Sequence, residues 1–167
     1  GASMVWAKAY DRPFEDIDSA GNPVSNVFTG NTRLGILDAV WKWSPNGNST
    51  RTSLTLQGEY FRRLESGSLV YDEGGQALAD SFRSAQSGWY AQAVYKFLPE
   101  WRVGLRYDRL DVGNVNASSN TENLYLPSYS PNRTTLMFDW APSEYSRVRL
   151  QLAQDRARYG LTDNQIM

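Results

Sequence analysis

The chain has no cysteine and no histidine. The first absence removes disulfides and thiolate chemistry. The second removes imidazole, so zinc centres, Ser-His-Asp triads and Cys-His dyads lack their donors. What survives is carboxylate chemistry and hard, oxygen-ligated cations. A surplus of one charge is also missing: 17 basic residues against 18 acidic ones leave a formal net charge of -1, too little bulk field to draw the chain to nucleic acid or to anionic lipid headgroups. No stretch approaches the ~18 consecutive apolar residues of a spanning helix, although a membrane protein built from strands has no need of one.

Carboxylates offer little chemistry where they occur. Asp72 and Glu73 in "YDEGG" lack the D-x-[DN]-x-[DN]-G order of a calcium loop and read as a solvated turn. No close Asp/Glu pair sits on a cleft-like apolar background, as sugar hydrolysis would require. The segment "GNTRLG" has no Gly-Lys-Ser/Thr and is not a phosphate loop. The expectation is therefore no catalytic residue, no metal and no cofactor.

What the chain does have is alternation. In "WRVGLRYDRLD" (101–111), Trp101, Val103, Leu105 and Tyr107 alternate with Arg102, Gly104, Arg106 and Asp108. Successive side chains of a strand point to opposite faces, so this segment carries one apolar and one ionic face. Similar segments occur at 4–11, 31–43, 52–64, 87–97, 133–141, 146–156 and 163–167, about eight strands in all. In the second of these both faces are partly apolar, with Leu34 and Ile36 on one and Leu37, Ala39, Trp41 and Trp43 on the other.

The connections sort by length. Those at 44–50, 98–100 and 142–145 are short and rich in turn residues, whereas those at 12–30, 65–86 and 113–132 are long and polar. Tight turns on one rim and long loops on the other characterise transmembrane barrels. The expected architecture is thus all-β: an antiparallel up-and-down transmembrane β-barrel of about eight strands, or a contiguous portion of a larger one. Residues 1–3 read as a cloning remnant before Met4, and 4–167 as a single domain.

Aromatics make up 13% of the chain, with 6 Trp and 10 Tyr. Trp41, Trp43, Tyr95, Phe97, Trp101, Phe138, Trp140 and Tyr145 lie beside the short turns, while Tyr60, Phe61, Trp89, Tyr90 and Tyr107 lie towards the long links. Indole and phenol rings favour headgroup level, so two interfacial bands are expected, with Trp41, Trp43, Tyr60, Trp89, Tyr95, Phe97, Trp101, Tyr107, Phe138 and Trp140 as their lipid-facing members. The opposite parity supplies candidates for an enclosed interior: Gln57, Glu59, Gln92, Lys96, Arg102, Arg106, Asp108, Asp139, Arg147, Arg149 and Gln151. Lining a passage, they suit a polar or anionic solute. Paired with one another, they would fill a narrow barrel.

The segments "SGWYAQAVYKFLPEWRVGLRYDRLDV" (87–112) and "SPNRTTLMFDWAPSEYSRVRLQLAQDRARYGLTDNQIM" (130–167) resemble the C-terminal strands of proteobacterial outer-membrane barrels of the porin-like and TonB-dependent-receptor-like kinds. That resemblance implies an outer-membrane location, contact with outer-membrane lipid and passage of a small polar solute. Such barrels usually close on a complete strand ending in an aromatic residue. This chain ends in "DNQIM", and no receptor-type plug domain is visible. Two other readings stay open: a non-transporting eight-stranded barrel with partner-binding loops, and a soluble lipocalin-like barrel with its apolar rows turned inward around a ligand.

Overall fold

The computed structural model describes residues 1–17, 21–73, 76–118, 129–158 and 160–167, with the side chains of 14, 16, 17, 72, 73, 76 and 77 left aside. β-branched and aromatic residues at alternate positions fold as eight strands: β1 (Ala2–Ile17), β2 (Pro23–Trp43), β3 (Ser53–Glu73), β4 (Gln76–Leu98), β5 (Trp101–Asn116), β6 (Asn132–Ser143), β7 (Ser146–Arg156) and β8 (Asp163–Ile166). They form a single sheet in sequence order, each strand antiparallel to the next. Ala2 and Ser3 already belong to this ladder, opposite Leu37 and Ile36.

The short turns lie where the sequence puts them. Pro45–Gly47 makes one 3-10 turn between β2 and β3, and Asn46 takes a φ of 52°. The long polar links are different. Much of 12–30 and nearly all of 65–86 continue the ladder as strand, with β3 and β4 paired from Ser53↔Lys96 to Glu73↔Gln76. These hairpins reach well beyond the apolar rows. Serine, glycine and aspartate there alternate irregularly with apolar residues, so these strands resemble loops in composition. Of 113–132, β5 takes the start up to Asn116, and 119–128 lie outside the described residues.

Among the described residues the sheet does not close on itself: β1 and β8 are its two ends, and the four-residue β8 pairs only with β7. The expected closed barrel is therefore present as an open sheet.

Cross-strand partners share a face, so the register assigns every side chain to one side. The buried residues Phe28, Leu69, Phe82, Glu65, Thr135, Asp139 and Ala153 all fall on the side of the ionic row. No second layer covers the sheet among the described residues, so burial confined to one side makes that side concave. Its core gathers in the long-hairpin half around Val24, Phe28, Leu69, Tyr71, Phe82 and Ala117.

Two glycine positions make this curling feasible. Gly30 pairs with Gly67, which pairs with Phe82, and the rings of Phe28 and Phe82 meet edge to face, 5.4 Å apart. A Cβ on Gly67 would strike the Thr29 carbonyl oxygen and lie 2.6 Å from the Gly30 Cα. Gly113, at φ +72°, stands at the bulge opposite Ala85–Ser87, where a Cβ would collide with the Ala85 carbonyl. Only glycine combines that φ with that approach.

Candidate functional site

The convex side is built from matching rows. One runs Trp43, Leu54, Tyr95, Val103, Phe138, Leu150; the next runs Trp41, Leu56, Ala93, Leu105, Leu136, Leu152, Ile166. These side chains are left open: Leu105 is 53% exposed, Leu150 48% and Trp41 53%. Trp41, Trp43, Tyr60, Trp89, Tyr95, Trp101, Tyr107, Phe138 and Trp140 all share this side, and Phe97, the extra residue of a bulge, has its ring 6.4 Å from that of Tyr95. Trp101 stacks on Trp140 at 5.6 Å, and Trp89 meets Tyr107 at 5.4 Å. Phe61 and Tyr90, grouped with these aromatics by position along the chain, point to the concave side instead. Strand β2 is resolved the same way. Leu37, Ala39, Trp41 and Trp43 face out, and Leu34 and Ile36 face in, with Ile36 opposite Phe61.

Between the short turns and the far end of this band, no charged residue points outward on β2 through β7. Outward charge begins at Arg33, Arg62, Arg109 and Arg156, each about eight to ten residues from the short-turn end of its strand. At about 3.4 Å per residue that is about 27–34 Å along the strand. For the strand tilt of a barrel it projects to roughly 20–28 Å, which matches the apolar band of transmembrane barrels, about 25 Å tall.

The concave side carries every interior candidate: Gln57, Glu59, Gln92, Lys96, Arg102, Arg106, Asp108, Asp139, Arg147, Arg149 and Gln151. They gather in two groups, and residues outside that set form a third. Near the short turns, the buried Asp139 accepts from two arginines of β7: Arg147 through Nε at 2.9 Å and through its Nη2, and Arg149 through Nε at 2.9 Å and Nη2 at 3.2 Å. The carboxylate is thereby saturated. Arg102, its cross-strand neighbour, is left without an ion partner among the described residues, as are Lys96 and Lys42. Lys96 only donates to the Ser49 carbonyl, at 3.4 Å. Lys42, Lys96 and Arg102 share a cleft of ≈ 420 Å³ with the hydroxyls of Ser49, Ser53 and Thr55.

In mid-sheet, Gln92 donates to Gln57 at 3.1 Å and Gln57 donates to the Tyr90 hydroxyl at 2.9 Å. Arg106 lies 3.9 Å over the Tyr90 ring and forks onto Asp108 at 2.6–3.0 Å. Glu59 joins this group along a cleft of ≈ 370 Å³ that also takes in Arg133 and Asp155. Gln151 stands opposite Met137, on the same side.

The third group went unseen in the sequence. Glu65, 5% exposed, accepts from Arg12 at 2.9 Å and Thr32 at 3.1 Å and pairs with Arg63 at 3.7 Å. Arg12 and Glu65 stood in segments read as links, and they meet only through the β1–β2–β3 register. Tyr90 was equally obscure. Its parity, shared with Gln92 rather than Trp89, was the available signal.

No cluster of metal-ligating side chains occurs among the described residues, and the side chains of Asp72 and Glu73 lie outside them. The concave side thus holds charge in fixed, mostly paired positions, with one unpaired cationic patch near the short turns.

Among known proteins, the chain is similar to an uncharacterized protein of Aquifex aeolicus (strain VF5), 32% identical over 161 residues. The match covers 95% of this chain but 31% of that protein, so the chain spans about a third of the length of the curated relative it matches. No family model and no solved structure matches.

Proposed function

We propose that this sheet is part of the wall of an outer-membrane β-barrel, and that its concave side lines a water-filled passage for a polar, preferentially anionic solute. One observation carries the reading: an outward band without charge, continuous over β2 to β7, as deep as a bilayer's hydrocarbon layer, and backed by an ionic side. A soluble sheet has no physical reason to hold leucine and tryptophan rows at about half exposure while it buries aspartate and glutamate opposite them. The lipocalin-like arrangement, with apolar rows around a ligand, would need the reverse placement.

Two features favour a section of a larger barrel. Among the described residues the sheet ends are unpaired at β1 and β8, and bare strand edges do not persist in lipid, so further strands would complete the ladder. A closed barrel of about eight strands would also fill its lumen with side chains, whereas Lys42, Lys96 and Arg102 line an open cleft. The ion pairs at Asp139 and Glu65 favour the rival reading, a filled and non-transporting barrel.

Conductance separates the two. In planar bilayers the full-length polypeptide should carry current with chloride favoured over potassium. A nearby unit charge is worth roughly 1 kcal/mol to an ion in water, so replacing Lys42, Lys96 and Arg102 by glutamine should lower the anion preference about five-fold or more. Absence of current from correctly inserted protein would leave the filled barrel standing and remove the passage.

A further inference from the structure

The outward arginines are scattered in sequence, yet the fold aligns them. Arg33, Arg62, Arg109 and Arg156 come from β2, β3, β5 and β7, and all close the uncharged band on its long-hairpin side. Arg109 and Arg156 flank Asn132 in one continuous row that also holds Tyr60 and Trp89. All four are exposed. Arg109 has a carboxylate partner, Asp111, at 3.1 Å, while Arg33, Arg62 and Arg156 have none among the described residues. On the short-turn side the same strands begin with Trp43, Leu54, Trp101 and Val148, without outward cations. The belt is therefore one-sided.

We infer that this belt binds the anionic phosphomonoester groups of lipid headgroups in the leaflet on the long-hairpin side. The inference rests on the membrane reading and adds a ligand and a sidedness to it. Guanidinium groups bind phosphate oxygens bidentately, and at the edge of the hydrocarbon layer these four would sit at phosphate level. Tyr60 and Trp89, in the same row as Arg109 and Arg156, would seat the adjoining glycerol and acyl region. The lone partner Asp111 leaves a net positive row, complementary to an anionic leaflet. The opposite leaflet meets aromatic and aliphatic side chains of these strands, among them Trp43, Tyr95 and Phe138.

The test uses the protein inserted into phosphatidylcholine vesicles with and without a phosphomonoester lipid, phosphatidic acid, and measures lipid retained after detergent extraction. The wild type should retain phosphatidic acid in preference to phosphatidylcholine by about five-fold per arginine engaged. The variant with Arg33, Arg62, Arg109 and Arg156 all changed to glutamine should insert equally well and lose that preference. A control variant, Lys96→Gln with Arg102→Gln on the concave side, should keep it. Equal retention of both lipids by inserted wild type, or a preference surviving in the quadruple variant, overturns the belt while leaving the membrane reading intact. Competition by inorganic phosphate at matched phosphate concentration would assign the arginines to a free anion and also overturns it. Failure to insert into either vesicle overturns both readings.

Discussion

Changing Leu105, Leu136 and Leu152 together to arginine should abolish membrane insertion. These residues are neighbours in one row across β5, β6 and β7, at mid-depth of the uncharged band. An outward arginine at the bilayer midplane of a barrel costs about 2–4 kcal/mol. Three such changes exceed the ~5–15 kcal/mol stability of a typical domain over much of that range. A paired variant keeps the result specific: Met137→Arg, on the concave side opposite Gly104 and Gln151, should still insert. The measurement is flotation with phospholipid vesicles after refolding. Equal flotation of the triple variant and the wild type would remove lipid contact from the convex side.

The second large effect concerns Gly67. Valine there would drive Cβ into the Thr29 carbonyl oxygen and against the Gly30 Cα, backbone that no side-chain rotation can clear. The β2 and β3 strands would have to part where Phe28 and Phe82 meet over them. Overpacking of this kind costs about 1–3 kcal/mol or more, and here it adds the loss of ladder hydrogen bonds and of the aromatic contact. Gly67→Val should therefore open the long-hairpin half, seen as faster amide exchange at Phe28, Leu69 and Phe82, with β5 to β7 little changed. Unaltered exchange would mean that the Gly30–Gly67 approach is not what holds the core together.

How much of this was legible beforehand depends on the residue. Parity separates the two sides from Trp101 to Asp108, because Arg102, Arg106 and Asp108 never share a phase with Trp101, Val103, Leu105 and Tyr107; beyond that the phases exchange, with Arg109 and Asp111 on the apolar side. In β2 the phase is mixed. Leu34 and Ile36 are apolar yet face inward, with Ile36 opposite Phe61, a contact that exists only once β3 is paired. The long links are harder to read because their apolar residues fall in both phases, as in Leu69, Val70 and Tyr71, where Leu69 and Tyr71 are buried on the concave side and Val70 stands on the other. Sequence also hides what the register creates. Arg12 and Glu65 are far apart along the chain, as are the four outward arginines, and neither grouping exists until antiparallel pairing fixes which residues lie side by side. Asp139 was visible as an inward candidate, but not its saturation by Arg147 and Arg149, which strands Arg102.

On the proposed reading, hydrocarbon touches Trp101, Val103, Leu105 and Tyr107 of β5, and water touches Arg102, Arg106 and Asp108. The chain has no cysteine, so single cysteines at positions 102, 103, 105 and 106 can be read one at a time. In vesicles a membrane-impermeant maleimide given to both sides of the bilayer should label Arg102→Cys and Arg106→Cys fast, and Val103→Cys and Leu105→Cys hardly at all. Uniform labelling, or the opposite alternation, would contradict the account.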